Sequence, residues 1–312
     1  MKRVFGRLLI ALSVAGPVGI AVGSAQTPGA QPQARFRSSA DVVTIQASVR
    51  SNRGRPVQGL TAADFEVRDN GQLRPILSLR ADLKSPVSLA ILVDMSGSMA
   101  VGSKIAMARQ AFESVLSQLH SGQDEVAVFT FDSALHARRP FTGDLARLQS
   151  ALDEFEAFGS TSLYDATAAA ARQLAARSAA HKAIIVLTDG TDTSSALTAP
   201  EVSGLASSIA VPVYIVATVP SLDQRAMLEA AERSQPSEAA DLRDLSEWTG
   251  GQLVFASNFS ETVVAASSLV TELRQQYVLA IEAADGHEWR RLDVRVKRPS
   301  AIVKARSGYY GG

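Results

Sequence analysis

The chain has 312 residues, as many acidic as basic side chains, and no cysteine. That length carries one large domain with smaller additions, and the balanced charge leaves none of the positive footprint that nucleic acid or an anionic membrane selects. Without cysteine there are no disulfides, thiolate metal sites or thiol nucleophiles, so stability rests on packing.

Lys2, Arg3 and Arg7 precede an apolar run from Leu8 to Val22, followed by the small residues Gly23, Ser24 and Ala25. The pattern predicts a secretory signal peptide over residues 1–25. Gly16, Pro17 and Gly19 interrupt a run already short of the roughly 20 apolar residues that a membrane-spanning helix needs. No later segment is long and apolar enough to cross a bilayer, so the expected product is exported, to the periplasm or outside the cell. Residues 26–38, rich in Pro, Gly, Gln and Ala, read as a flexible linker.

Residues 39–85 read as a β segment. Val43, Ile45, Ala47 and Val49 alternate with polar residues at the period of a half-buried strand. A turn at 51–56 and a helical turn capped by Thr61 lead to a strand over Phe65–Arg68. Asp69-Asn-Gly71 then closes a hairpin, and Pro75 marks the strand over Leu73–Leu79 as an edge strand or strand start.

Residues 86–275 change character: apolar runs alternate with Ala-rich helical segments, which predicts an α/β fold, a doubly wound and mostly parallel sheet flanked by helices. Buried strands fall at Val87–Val93, Val126–Phe131, Ala183–Leu187 and Val211–Ala217, with an antiparallel edge at Leu135–Phe141. Helices are expected at Lys104–Leu119, Leu145–Phe155, Leu163–Ala176 and Ala199–Ser208. A helix at Leu242–Thr249, a strand at Leu253–Ala256 and a helix at Glu261–Arg274 complete the domain. Residues 276–312 return to period two, with Tyr277, Leu279 and Ile281, a turn at Asp285-Gly286, and Leu292, Val294 and Val296. A few strands at either end are marginal alone, so the two β segments are expected to pack together as one small module with the main domain inserted into it.

The first buried strand ends in Asp94-Met-Ser96-Gly-Ser98, which delivers three oxygen-bearing side chains at alternate positions beyond its carboxyl end, where open α/β sheets bind ligands. Gly159-Ser-Thr161 puts a hydroxyl just before a helix, and Leu187-Thr-Asp189-Gly ends another strand in a carboxylate. Carboxylates with hydroxyls suit a hard divalent cation. Each motif alone is also ordinary capping or turn chemistry, Thr161 as an N-cap and Asp189-Gly190 as a strand-ending turn. Their combination in this order resembles the metal-ion-dependent adhesion site of von Willebrand factor A domains, over roughly Pro86 to Arg274. The stretch from Arg55 to Gly71 and the ending Val303-Lys-Ala-Arg-Ser-Gly-Tyr-Tyr are similar to the acidobacterial VWFA-related domain family. The resemblance implies that Asp94, Ser96, Ser98, Thr161 and Asp189 hold the metal directly or through water. It implies Mg2+ first, with Mn2+ and Ca2+ also suited to oxygen ligands, and an open position that takes a Glu or Asp of a protein partner. In related domains the last helix is similar to a piston that shifts with ligand state.

The expected function is therefore metal-dependent binding without catalysis. A Mg2+-dependent phosphohydrolase or phosphotransferase using Asp94 as nucleophile is the enzymatic alternative. Ser96 and Ser98 stand where a second acidic group would help bind metal and transfer protons, and no phosphate-binding Gly-x-x-x-x-Gly-Lys-Ser/Thr loop or Gly-x-Ser-x-Gly elbow occurs. A scaffold with a purely structural metal is the third reading. Asp132, Asp165 and Asp192 are assigned to caps and turns, and His120, His136, His181 and His287 lack metal-ligand spacing.

Overall fold

The computed structural model describes residues 42–153, 156–190, 192–219, 229 and 238–311. The signal peptide and linker read over residues 1–38 lie outside them. In chain order, β1 (Val42–Ser51), β2 (Phe65–Asp69), β3 (Gln72–Arg74) and β4 (Ile76–Asp82) come first. The main domain follows with β5 (Val87–Asp94), α1 (Lys104–Ser117), β6 (Glu125–Phe131), β7 (Leu135–Thr142), α2 (Leu163–Ala175), β8 (His181–Thr188), α3 (Ala199–Ser208), β9 (Val213–Thr218), α4 (Glu238–Thr249), β10 (Gln252–Ala256) and α5 (Phe259–Arg274). The last strands are β11 (Gln276–Glu282), β12 (Trp289–Val296), β13 (Ala301–Ala305) and β14 (Gly308–Tyr310).

The main sheet runs β10-β9-β8-β5-β6-β7, parallel except for β7 at one edge. All eight residues of β5 are buried because helices cover both sheet faces. Side chains alternate between those faces: Leu89, Ile91 and Val93 pack with Phe112 of α1 and Leu269 of α5, while Ala90 and Leu92 pack with Leu163 of α2 and Val202 of α3. The chain leaves β5 toward β6 on one side and returns to β8 on the other, which opens a crevice at the carboxyl ends of these central strands.

The helix expected over Leu145–Phe155 does not form. Leu145–Leu148 is a short 3-10 turn, and the backbone bonds that follow, Ala151 N–H to Leu148 O and Asp153 N–H to Ser150 O, keep the same three-residue spacing. Successive tight turns bury Leu145, Leu148 and Leu152 without an α-helix; residues 154–155 lie outside the described ones. The single strand expected over Leu73–Leu79 is two strands separated by Pro75, which lacks a ladder donor. β3 joins one sheet and β4 another.

Those remaining strands form two four-stranded sheets, β13-β1-β11-β4 and β14-β12-β2-β3. β1 lies antiparallel between β11 and β13, and β12 antiparallel to β2. Ile45, Ala47, Leu279 and Ile281 of the first sheet meet Phe65, Val67 and Leu292 of the second in one core. Asn70 and Gly71 both adopt positive φ, 48° and 82°, the conformation that a two-residue turn between β2 and β3 requires. These sheets contact the main domain at the amino ends of its parallel strands. Arg50 pairs with Glu272 of α5 at 3.0 Å and donates to Ser268 O at 3.0 Å, and Lys304 reaches Glu272 at 3.4 Å. His181, the first residue of β8, contacts Asp82 at 3.4 Å and Gln276 at 3.2 Å.

Candidate functional site

Asp94 is the last residue of β5 and is fully buried. The pairing of Val93 with Leu187 sets Asp94 level with Thr188 on β8, and the Thr188 hydroxyl donates to Asp94 Oδ2 at 2.6 Å. The Ser96 backbone N–H donates to Asp94 Oδ1 at 2.9 Å, and the Ser96 and Ser98 hydroxyl oxygens are 3.2 Å apart. The first three expected residues therefore form one connected group. Burial pushes the Asp94 carboxyl up to about 6, the hydrogen bonds from Thr188 and Ser96 pull it back, and the charge of Asp189 pushes it further up.

Asp189 follows β8 directly and is nearly buried, at 5% exposure. Gly190 after it has φ 98°, which a glycine adopts without strain. Asp189 Oδ2 accepts a hydrogen bond from Lys104 Nζ at 2.8 Å, and the same ammonium donates to Ser98 O at 3.3 Å. That lysine joins the first loop to the third. Among the described residues Asp189 Oδ1 is buried with no hydrogen-bond partner, a costly arrangement for a carboxylate oxygen that a cation would relieve.

Thr161 lies on the second loop and is buried. It is not the N-cap of α2; Ser162 holds that place, because the helix starts at Leu163. Backbone bonds tie this loop to both others: Gly97 N–H to Gly159 O at 2.9 Å and Phe158 N–H to Met95 O at 2.7 Å on one side. On the other, the Thr161 N–H donates to Thr193 Oγ1 at 2.9 Å, and Thr161 O accepts from the N–H groups of Thr193 and Ser194 at 2.9 and 3.0 Å. A β-carbon on Gly97 would sit 3.4 Å from Gly159 O, at the near edge of ordinary contact.

The flanking acids hold loops. Asp192 accepts from Ser195 N–H, Ser195 Oγ and Tyr164 N–H. Asp165 accepts from the N–H groups of Ala196 and Leu197, and Asp132 from that of Ala134. Among the described residues no three His, Asp or Glu side chains gather at metal-binding spacing, so the donors on offer at these loops are two carboxylates and the hydroxyls of Ser96, Ser98 and Thr161. That donor set fits a hard divalent ion. Thr188, Thr193 and Lys104 are participants that the motif spacing did not single out: Thr188 at the end of an apolar run reads as a strand former, Thr193 in a polar stretch as a loop residue, and a lysine opening a helix as a surface residue. A cavity of about 700 Å3 between β10 and β13 is lined by none of these residues.

The sequence matches the von Willebrand factor type A domain family over residues 89–191. No curated protein matches the chain. Among solved structures, a von Willebrand factor type A protein from Catenulispora acidiphila aligns over 88% of this chain and 75% of its own, at 13% identity and a TM-score of 0.52. Proximal thread matrix protein 1 from the mussel byssus, in a form with a zinc-occupied MIDAS motif, aligns over 72% of this chain and 50% of its own, at 14% identity and a TM-score of 0.50. BatB from Bacteroides thetaiotaomicron aligns over 60% of this chain and 98% of its own, at 17% identity and a TM-score of 0.47. At such identities the first two likenesses concern the fold. With the sheet order, the loop junctions and the family match together, this chain carries a von Willebrand factor type A domain.

Proposed function

We propose that this protein is exported and binds a protein partner through a divalent cation held by Asp94, Ser96, Ser98, Thr161 and Asp189. The observation that carries the reading is Asp189 Oδ1, a buried carboxylate oxygen without a hydrogen-bond partner among the described residues, on a loop that Lys104 links to Ser98 and the group formed with Asp94. Mg2+ suits these ligands best, with Mn2+ and Ca2+ as further oxygen-loving ions. When bound, the cation supplies an electrophilic socket for a Glu or Asp side chain of the partner. The chain's own residues support the donors: Thr188 and Ser96 orient the Asp94 carboxylate, and backbone bonds tie the loop that carries Thr161 to the loops after β5 and β8. Export is supported by the basic residues and apolar run at the start of the chain.

Binding is favoured over catalysis because, among the described residues, no histidine is placed against Asp94, whose partners are Thr188 and Ser96. Three of the histidines are engaged with other acids, His120 with Asp124, His136 with Asp132 and His181 with Asp82. The test is calorimetric titration of Mg2+ and Mn2+ into chelator-treated protein beside the Asp94→Ala, Ser96→Ala double variant. One ion per chain in the wild type and none in the variant is expected. A folded wild type that takes up no ion overturns the reading, and metal-dependent hydrolysis of a phosphomonoester that disappears in Asp94→Ala overturns the choice of binding over catalysis.

A further inference from the structure

Lys104 occupies a place where its charge has no local reason to be. It is the first residue of α1, at the helix end whose dipole favours anions and disfavours an ammonium. Its side chain is only 22% exposed and is aimed across to Asp189 at 2.8 Å, with Ser98 O at 3.3 Å. One oxygen of Asp189 is thereby engaged by a cation of the protein itself, while the other has no partner among the described residues. Two ionised carboxylates attract a divalent ion with two negative charges; with the ammonium beside them, the net charge facing the ion is halved.

We propose that Lys104 is a resident cation of the metal site, competing with the divalent ion for Asp189 and so holding its affinity down. The inference rests on the metal-site reading above and deepens it. With the ion bound, two carboxylates, one ammonium and one divalent cation sum to a single positive charge, which one carboxylate of a partner neutralises. Lys104 thus makes metal retention depend on an acidic ligand more strongly than five oxygen donors alone would.

The experiment is Mn2+ binding to the full chain after chelator treatment, followed by the electron paramagnetic resonance signal of free Mn2+, for wild type, Lys104→Met and Lys104→Gln. Circular dichroism identifies which variants are folded, and two substitutions of different polarity guard against one failing to fold. The expected result is affinity at least about tenfold tighter in the folded variants, from removal of an ammonium a few ångströms from the ion even at high effective dielectric. Variants that bind Mn2+ with the wild-type affinity or more weakly overturn the role of Lys104 and leave the metal site standing. If neither wild type nor variants bind, the metal reading itself fails and this inference with it. Binding by the variants alone overturns the proposed function, because the folded wild type then takes up no ion.

Discussion

Replacing Asp94 by Asn keeps the shape of the side chain and removes a charge that the fold buries at a cost. Its carboxyl rises from 3.8 to about 6 because burial outweighs the hydrogen bonds from Thr188 and Ser96. At about 1.4 kcal/mol per unit, this amounts to about 3 kcal/mol of destabilisation in the metal-free protein above neutral pH. The sign follows from proton binding: between 3.8 and about 6 the folded state holds a proton that the unfolded state has lost. Stability therefore falls as pH rises through this window and is level above it. In Asp94→Asn the amide oxygen keeps the Ser96 N–H, but the amide nitrogen becomes a donor toward Thr188 Oγ1, which already accepts from the Gly190 N–H at 3.0 Å. Loss of about 1 kcal/mol in that rearrangement leaves a net gain of roughly 1–2 kcal/mol, or about 2–4 °C in Tm for a protein of this size. Thermal unfolding in chelator at pH values from about 5 to 8 measures it. The variant is expected to melt above the wild type near pH 7.5 and to lose less stability on going up from pH 5. A variant that melts below the wild type near pH 7.5, or one with the same pH slope, refutes the reasoning.

Glu272→Ala leaves Arg50 and Lys304 without their shared carboxylate at a buried seam, and breaking such a pair costs about 3–5 kcal/mol; a loss under about 1 kcal/mol in urea unfolding contradicts this account. We propose that residues 39–85 and 276–312 fold as one module carrying the domain at 86–275. A chain ending at residue 275 lacks β11, which lies between β1 and β4, and is expected to aggregate or lose strand signal in circular dichroism. A monomeric and fully folded truncation overturns the proposal.

The sheet was legible because its strands are short apolar runs between turn residues, and a strand buried on both faces has no other way to be written. Pro75 was legible as an anomaly but not as a junction between two sheets, since that depends on where β2 and β11 lie. The stretch after Leu145 carries apolar spacing that an α-helix and a string of tight turns satisfy equally, and periodicity does not separate them. At the site, alternate spacing marked Asp94, Ser96 and Ser98 because they share one loop. Lys104 and Asp189 stand 85 positions apart. Their contact comes from β5 and β8 being neighbours in a doubly wound sheet, a tertiary fact that no local pattern records. The hydrogen bond from Thr188 to Asp94 arises in the same way.

α5 is fastened at its lower end. Glu272 and Ser268 are gripped by Arg50, Lys304 adds a second cation, and Arg274 pairs with Asp124 and donates to Gln118 O. For this helix to slide along its axis, the grip on Glu272 has to open, at about 3 kcal/mol or more. A ligand drives such a displacement only by preferring the shifted form about a hundredfold or more. Any shift of the last helix with ligand state therefore has to break the contacts that tie its carboxyl-terminal end to Arg50, Lys304 and Asp124.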